Sequence, residues 1–456
     1  MKTTIQSPEQ LTASFDQLRI GGKQLAALPL DALLARLDNL SAAWQPGSPA
    51  FRQASQLLGS LFGPYTVNAA LTGLAFSLQA PVLRAELNRE LGRADLLDAW
   101  QPDELGIGWS RGYPLGVVAH VLAGNVFLGG VIALAQSLLT RNAVLLKLSS
   151  EDSGFTELFT QTLLDADDTG VLRSSIAVCS WSSAQAELNQ VVREQADGIV
   201  VWGGQSAIDA YPAERCRGRV IHYGPRLGLG FVLDGVDVRE AVRSLAWDVA
   251  LWEQRACSSP RVLFVENIGD LPNHVAAELS SALTTVRERL PSRPMTLDEK
   301  TEVLAIRELS YWQAHAQLFA GVQSMDHTVL VASTPPTDVP LGYRTVVVVP
   351  IARIDQLNEL LQPYRAGLQT AVLAAPPSRW PTTVDILARL GFTQIAAAGS
   401  AAARFLGLPH EGEYALRRLV RLVGIDLGAG PLTAPDRVAP NVGDQLALPR
   451  SPKAIG

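Results

Sequence analysis

Hydrophobic positions recur every three or four residues through most of the first hundred positions. The segments LPLDALLARLDNLSAAW (28–44) and ALTGLAFSLQAPVLRAELNRELG (70–92) both carry this helical spacing. Pro46, Gly47 and Pro49 mark a loop between them. From about residue 112 the pattern changes to short apolar runs alternating with amphipathic stretches. The strand candidates are GVVAHVLA, AVLLKLS, SIAVCSW, GIVVWGG, RVIHYG and LGFVLDG. Between them lie the helical patterns GGVIALAQSLL, GFTELFTQTLLDA, SAQAELNQVVREQ and REAVRSLAWDVALWEQ. The alternation resumes at RVLFVE (261–266) and runs through TVLVAS, RTVVVVPIA, LQTAVLAA and TQIAAAG.

Near-continuous apolar strands separated by helices predict parallel sheets covered on both faces, an α/β fold. The expected division is a mainly helical part over 1–111, one α/β domain over 112–233, a second over 234–427, and an arm over 428–456. The arm is rich in Pro and Gly and has no period. Residues 115–139 contain no Asp, Glu, Lys or Arg, long enough to span a bilayer. His120, Asn125, Gln136 and several glycines interrupt the stretch. It reads instead as a buried strand, a Gly-Asn turn and a buried helix ending at Arg141.

Composition narrows the classes. The chain of 456 residues is 47 % hydrophobic and 18 % charged, with a net charge of −6, so it is globular and nothing favours nucleic acid as a partner. Three cysteines, Cys179, Cys216 and Cys257, form no disulfide framework and suit a reducing, cytoplasmic compartment. The six histidines lack metal-ligand spacing, so no metal site is expected.

Four places can carry chemistry. In GYPLGVVAHVLAGNVFLGG (112–130) a strand ends at Ala123-Gly124-Asn125 before a helix. An Asn amide there can donate to an oxyanion, or it can cap the helix. In AVLLKLSSED (143–152) Lys147 ends an apolar strand, either facing a ligand or marking the exit into solvent. In IVVWGGQSAIDAY (199–211) Gly203 and Gly204 join a strand to a helix, which lets backbone approach a phosphate or simply makes a tight turn. In WEQRACSSPRVLFVE (252–266) Cys257 sits in a polar loop near Arg255 and Arg261, a setting that suits a nucleophilic thiolate. Cys179 lies in an apolar strand. Cys216 has cationic neighbours but no Ser-rich turn.

Taken in order, these segments resemble the aldehyde dehydrogenase superfamily, and within it the acyl-CoA reductase branch of LuxC type. The matching blocks are YPLGVVAHVLAGNVF, LLTRNAVLLKLSSED, VVWGG, HYGPR, EQRACSSPRVLFVE, LQTAVLA and GSAAARFLGLPHEG, spread over 112–412. The resemblance implies a Rossmann-type cofactor domain, an α/β catalytic domain and a helical N-terminal region. It implies an acyl-accepting Cys257, and an oxyanion hole made by Asn125 and the Cys257 backbone N–H. Lys147, with Ser149 and Ser150, would bind the adenosine ribose or its phosphate, and Gly203 and Gly204 the pyrophosphate.

Aldehyde-oxidising relatives carry a Glu base where this chain reads His222-Tyr223-Gly224-Pro225-Arg226. Without that base, hydrolysis of an acyl-enzyme is not promoted, which favours reduction of an acyl thioester to an aldehyde. His222 is the candidate proton acceptor for the last step, or a strand-end surface histidine. Ser150, not Glu, stands three residues after Lys147, which favours NADPH over NADH; a one-residue shift of the loop would bring Glu151 there and reverse this. The donor would be acyl-CoA or an acyl carrier protein. Self-association and acyl-transferring partner enzymes also follow from the resemblance. The rival readings are an oxidative dehydrogenase with another base and a non-catalytic scaffold; the polar cysteine turn weighs against the second.

Overall fold

A computed structural model describes residues 2–102, 108–312, 316–320, 325–336, 342–402 and 407–426. The arm expected over 428–456 lies outside the described residues, as do residues 403–406 of the block GSAAARFLGLPHEG.

Five helices open the chain: Pro8–Ala27, Leu30–Ala43, Pro49–Phe62, Pro64–Ser77 and Ala80–Leu91. Their starts are written locally. Ser7 and Ser48 accept from the backbone N–H of Gln10 and Phe51, and a proline stands in the first turn of each of these two helices. Leu30, Leu33, Leu34, Leu37 and Leu40 form the buried stripe of the second helix. That stripe joins a core with Trp44, which is packed against Phe155 (ring centroids 5.5 Å apart) and Phe159 (5.6 Å). The N-terminal part is therefore one hydrophobic unit with the α/β region behind it.

The first α/β sheet has six parallel strands in the order Thr3–Thr4, Ile176–Ser180, Ala143–Lys147, Val117–Val121, Gly198–Trp202 and Arg219–Tyr223. Strand order reverses beside Val117–Val121: the chain builds outward to one side, then returns to build on the other. Ligands in open α/β sheets bind at such a switch point, beyond the carboxyl ends of the strands. The Ala123-Gly124-Asn125 turn and Gly203-Gly204 both stand there. Segment 115–139 resolves as the buried strand Val117–Val121 and the helix Gly129–Leu139. Among the described residues no single helix is long and apolar enough to cross a membrane, although the bent pair Pro64–Ser77 and Ala80–Leu91 passes that test when taken together.

The second sheet has seven strands, ordered Gln317–Phe319, Thr328–Val331, Thr345–Ile351, Pro260–Glu266, Leu227–Val232, Leu368–Ala374 and Gln394–Ala397. All its pairs are parallel except the first. The boundary expected at 233 needs correction, because Leu227–Val232 is central to this second sheet. An apolar strand reads alike in either sheet. Its glycines decide: a Cβ on Gly228 would come within 2.5 Å of Ser258 backbone, and one on Gly230 within 2.1 Å of Leu263. Gly228 thus lets the strand lie directly against the segment that follows Cys257.

A third, antiparallel sheet joins Gln101–Pro102, Gly108–Pro114 and Val420–Asp426. It pairs a strand from the end of the expected helical part with the end of the second domain, so the chain's course crosses both expected boundaries.

Candidate active site

The strand Val117–Val121 is buried throughout and delivers its turn to the switch point. Asn125 does not cap the next helix: that helix starts at Gly129, its cap residue is Leu128, and no side-chain cap bond forms. Instead the Asn125 amide Nδ2 donates to the backbone carbonyl of Arg255 at 3.3 Å. Arg255 is two residues before Cys257. A primary amide has two N–H donors, so one bond fixes its plane and the second N–H can serve a ligand.

The cysteine turn is built by an abrupt stop. Helix Val238–Ala250 ends, and Trp252, Glu253 and Gln254 adopt left-handed backbone with φ of 59°, 53° and 58°. Such conformations cost non-glycine residues on the order of 1–3 kcal/mol each and persist only where surroundings over-determine them. Gln254 supplies the over-determination. Its side chain is fully buried; Nε2 donates to the carbonyls of Pro260 and Thr345, both at 2.9 Å, and Oε1 accepts from the Thr345 N–H at 2.9 Å. Glu253 adds an ion pair to Arg344 at 2.8 Å, and Tyr343 and Arg344 are themselves left-handed. Two strained segments brace each other, and Cys257 leaves the brace half-buried.

Removing the Gln254 amide takes a donor from two buried carbonyls, while the Thr345 N–H keeps the Gly342 carbonyl at 3.0 Å. Gln254→Ala is therefore expected to lower stability by about 2 kcal/mol and to slow alkylation of Cys257 resolved by mass spectrometry. Urea denaturation and alkylation of the same preparation check it; an unchanged midpoint and an unchanged rate would show that the turn holds without Gln254.

The other two thiols are set apart by burial. Cys179 is 2 % exposed and burial pushes its pKa up to about 12; Cys216 is half-buried and also shifted up by burial. Around Cys257 the setting is cationic. Arg261, whose guanidinium donates to the Gln254 carbonyl at 3.4 Å, feels the charge of a Cys257 thiolate, which opposes the lowering of its pKa by burial.

Lys147 does not mark an exit into solvent. It is 7 % exposed, its ammonium lies 5.4 Å from the Trp181 ring centroid, and burial lowers its pKa. Among the described residues it makes no ion pair, so a buried cation stands at a strand end without an anion. The following loop folds back: Ser149 Oγ accepts from the Glu151 N–H at 3.2 Å, and Ser150 is exposed. Glu151 is turned toward the cysteine turn, 3.5 Å from Arg255. A Cβ on Gly124 would meet the Glu151 Cβ at 2.7 Å, so only glycine lets these two loops lie together.

Gly203 has φ 156° and its N–H bonds the Tyr223 carbonyl at 3.1 Å; Gly204 precedes the short helix Gln205–Asp209. Trp202 stacks on Tyr223 at 4.1 Å and Tyr223 packs on His410 at 4.9 Å beside them. Below, His120 is fully buried, bonded to Ser137 at 2.8 Å, and held neutral with a pKa pushed down to about 3.

His222 is not brought to the cysteine turn. Its Nε2 bonds the Tyr211 carbonyl at 2.9 Å. In the same segment Arg226 pairs with Glu411, at 2.6 Å. Among the described residues no group of His, Cys, Asp and Glu could hold a metal ion.

Three features of this site escape sequence reading in different ways. Gln254 was visible in its spacing to Cys257, but not its role. The left-handed run and the Glu151–Arg255 pair have no local signature, since neither Trp-Glu-Gln nor a Ser-Ser-Glu loop predicts them.

The family described as acyl-CoA reductase (LuxC) matches residues 25–422. The long-chain acyl-protein thioester reductase of Vibrio harveyi is 26 % identical over 348 residues, covering 74 % of this chain and 69 % of that one. Its counterpart in Aliivibrio fischeri is 28 % identical over 348 residues with the same coverage. Among solved structures, aldehyde dehydrogenase 21 of Physcomitrella patens superposes with a TM-score of 0.73 at 13 % identity, covering 92 % of this chain and 90 % of that one. GapN of Methanocaldococcus jannaschii, a glyceraldehyde-3-phosphate dehydrogenase complexed with NADP, gives 0.67 at 13 % identity, with 93 % and 95 % covered. At these identities the likeness to solved structures is one of fold.

Proposed function

The chain belongs to the acyl-CoA reductase (LuxC) family on an aldehyde dehydrogenase fold, and from that premise we propose that it reduces an acyl thioester to the aldehyde through an acyl-Cys257 intermediate. The observation that carries this reading is the 3.3 Å bond from Asn125 to the Arg255 carbonyl, which ties an oxyanion donor to the cysteine turn.

In the proposed sequence the Cys257 sulfur attacks the thioester carbon. The oxygen gains a negative charge that the second Asn125 N–H and the Cys257 backbone N–H stabilise. Collapse expels the carrier thiolate, which takes up a proton, and leaves the acyl group on sulfur. When bound, a reduced nicotinamide dinucleotide supplies the hydride. The oxyanion on the reduced carbon is again held by Asn125, and its collapse breaks the C–S bond to give the aldehyde and the Cys257 thiolate. That oxyanion needs no proton acceptor, so His222, hydrogen-bonded to Tyr211, has no part in the proposal. The absence of a carboxylate at 222–226 leaves water unactivated and preserves the acyl-enzyme for reduction.

The residues present fit a dinucleotide. A buried Lys147 ammonium with no ion pair among the described residues suits a phosphate or ribose, and Gly204, where an added Cβ would meet nothing within 4 Å, leaves room for a pyrophosphate. NADPH is the proposed form. Ser150 can donate to a 2′-phosphate, and Arg255 draws Glu151 toward the cysteine turn, so the carboxylate that would repel that phosphate is engaged elsewhere. The kcat/KM for NADPH is expected to exceed that for NADH. Ser150→Glu should reverse the ratio by about tenfold or more, as one like-charge contact of about 1.4 kcal/mol does. An NADH preference in the unaltered protein, or an unmoved ratio in the variant, would remove the argument.

Coenzyme A or the phosphopantetheine arm of a carrier protein is the proposed donor. The test of the whole reading is stoichiometry. One aldehyde and one free thiol should appear for each NAD(P)H consumed; steady acid production from aldehyde plus NAD(P)⁺ without a thiol acceptor would instead support the oxidative alternative.

A further inference from the structure

Lys147 ends its strand in register with Cys179 of the neighbouring strand, and its ammonium is buried without an ion pair among the described residues. Just beyond Cys179 stands Trp181, which shares a hydrophobic cluster with Cys179, Leu188, Val192 and Tyr211. The Trp181 ring centroid is 5.4 Å from the Lys147 ammonium, within reach of a cation–π contact.

The indole is held by its edge. A buried indole N–H needs an acceptor. Asn189, on the helix Ala186–Gln195, supplies it: the Trp181 N–H donates to Asn189 Oδ1 at 3.1 Å. The Tyr211 hydroxyl donates to the same oxygen at 2.9 Å, and Asn189 Nδ2 donates to the Ser183 carbonyl at 3.0 Å. Asn189 and Tyr211 are both buried. An indole N–H only donates, so these bonds fix which end of the amide faces the ring. They also fix the plane of the ring, whose face is left for Lys147. An apolar side chain of similar size would fill the same core position with no such bonds.

The chemistry of the pair suits a cation kept ready for an anion. A carboxylate beside Lys147 would pair with it and then compete with an incoming phosphate. A ring face attracts the ammonium yet takes none of its N–H donors. A lysine stem otherwise has large rotamer freedom, which a ligand would have to remove on binding. Resting on the reading of Lys147 above, we propose that Trp181 is a positioning residue for the dinucleotide. Its ring holds the Lys147 ammonium in place, with the N–H donors left to a phosphate or ribose, and Asn189 and Tyr211 act through the ring by fixing its plane.

The experiment is calorimetric titration with NADPH, without an acyl donor. It compares the unaltered protein with Trp181→Leu, Trp181→Phe, Lys147→Met and the double variant Trp181→Leu, Lys147→Met. Lys147→Met should weaken binding by about tenfold, the loss of one charged hydrogen bond. Trp181→Leu should weaken it by about fivefold, because Lys147 must then be ordered as the ligand binds. Trp181→Phe keeps a ring face and should stay within about twofold of the unaltered protein. In the Lys147→Met background Trp181→Leu should change nothing, since a contact with an absent ammonium cannot be lost. A ring that only fills the core would cost the same in both backgrounds. If Trp181→Leu does not fold, Trp181→Met, whose flexible side chain fills irregular space, takes its place. Unchanged or tighter binding in a folded ringless variant, a phenylalanine no better than leucine, or an equal loss in both backgrounds overturns the role of Trp181 while leaving Lys147 as a dinucleotide residue. Unchanged binding in Lys147→Met, or no binding to the unaltered protein, overturns the reading of Lys147 and the role of Trp181 with it.

Discussion

Cys257→Ser is expected to reduce thioester turnover to background while dinucleotide binding persists. The serine hydroxyl is a far weaker nucleophile than a thiolate in this cationic turn, and the two-step route through a covalent intermediate is closed. With acyl-CoA and no dinucleotide, the unaltered protein should gain one acyl mass on the peptide containing Cys257. The competing thiols are held back by burial, Cys179 with a pKa near 12 and Cys216 shifted the same way. An adduct on either of them, with Cys257 unmodified, would sink the assignment.

Asn125→Ala should lower kcat by about 10²–10³, the usual consequence of losing one oxyanion donor. Stability should barely change. The side chain is exposed, it caps no helix, and its one bond goes to a backbone carbonyl. The contrast between a large kinetic effect and a small shift in melting separates an oxyanion donor from a structural tie. A variant that melts markedly lower but turns over normally would place Asn125 in the second role. Asn125→Asp keeps the shape and loses the donors, and should be as slow as alanine.

Much of this was legible because α/β folds write themselves in apolar runs. Buried strands such as Val117–Val121 and Ala143–Lys147 stand out as continuous hydrophobic stretches, and polar residues at or just beyond their ends stand out against them. Asn125 and Lys147 became candidates this way, and Cys257 by its polar loop before a strand. What stayed hidden depends on pairing across the chain. Leu227–Val232 is as apolar as its predecessors, and its pairing with Pro260–Glu266 and Leu368–Ala374, which the close approach of Gly228 to Ser258 permits, places it in the second sheet. Val420–Asp426 pairs with Gly108–Pro114, some three hundred residues earlier, and no local pattern encodes that partner. The left-handed run Trp252–Gln254 is held by bonds to Thr345 on another strand. His222 was a candidate on the chemistry of imidazole alone, and the bond of its ring to the Tyr211 carbonyl has no signature in the sequence.

The strand Thr3–Thr4 has a practical meaning for anyone shortening the chain. Family similarity begins at residue 25, within the helix Pro8–Ala27, whereas the first sheet begins at residue 3. A protein trimmed to the similar region would uncover the Ile176–Ser180 edge, which Thr3, Thr4 and the Ile5 N–H now cover. It would also lose the helix whose Gly21 nests against the Ser174 backbone. Bare hydrophobic edges template intermolecular strand pairing. The region of family similarity and the folded sheet thus begin about two dozen residues apart, few in number but sited at an edge where strand pairing between chains would start.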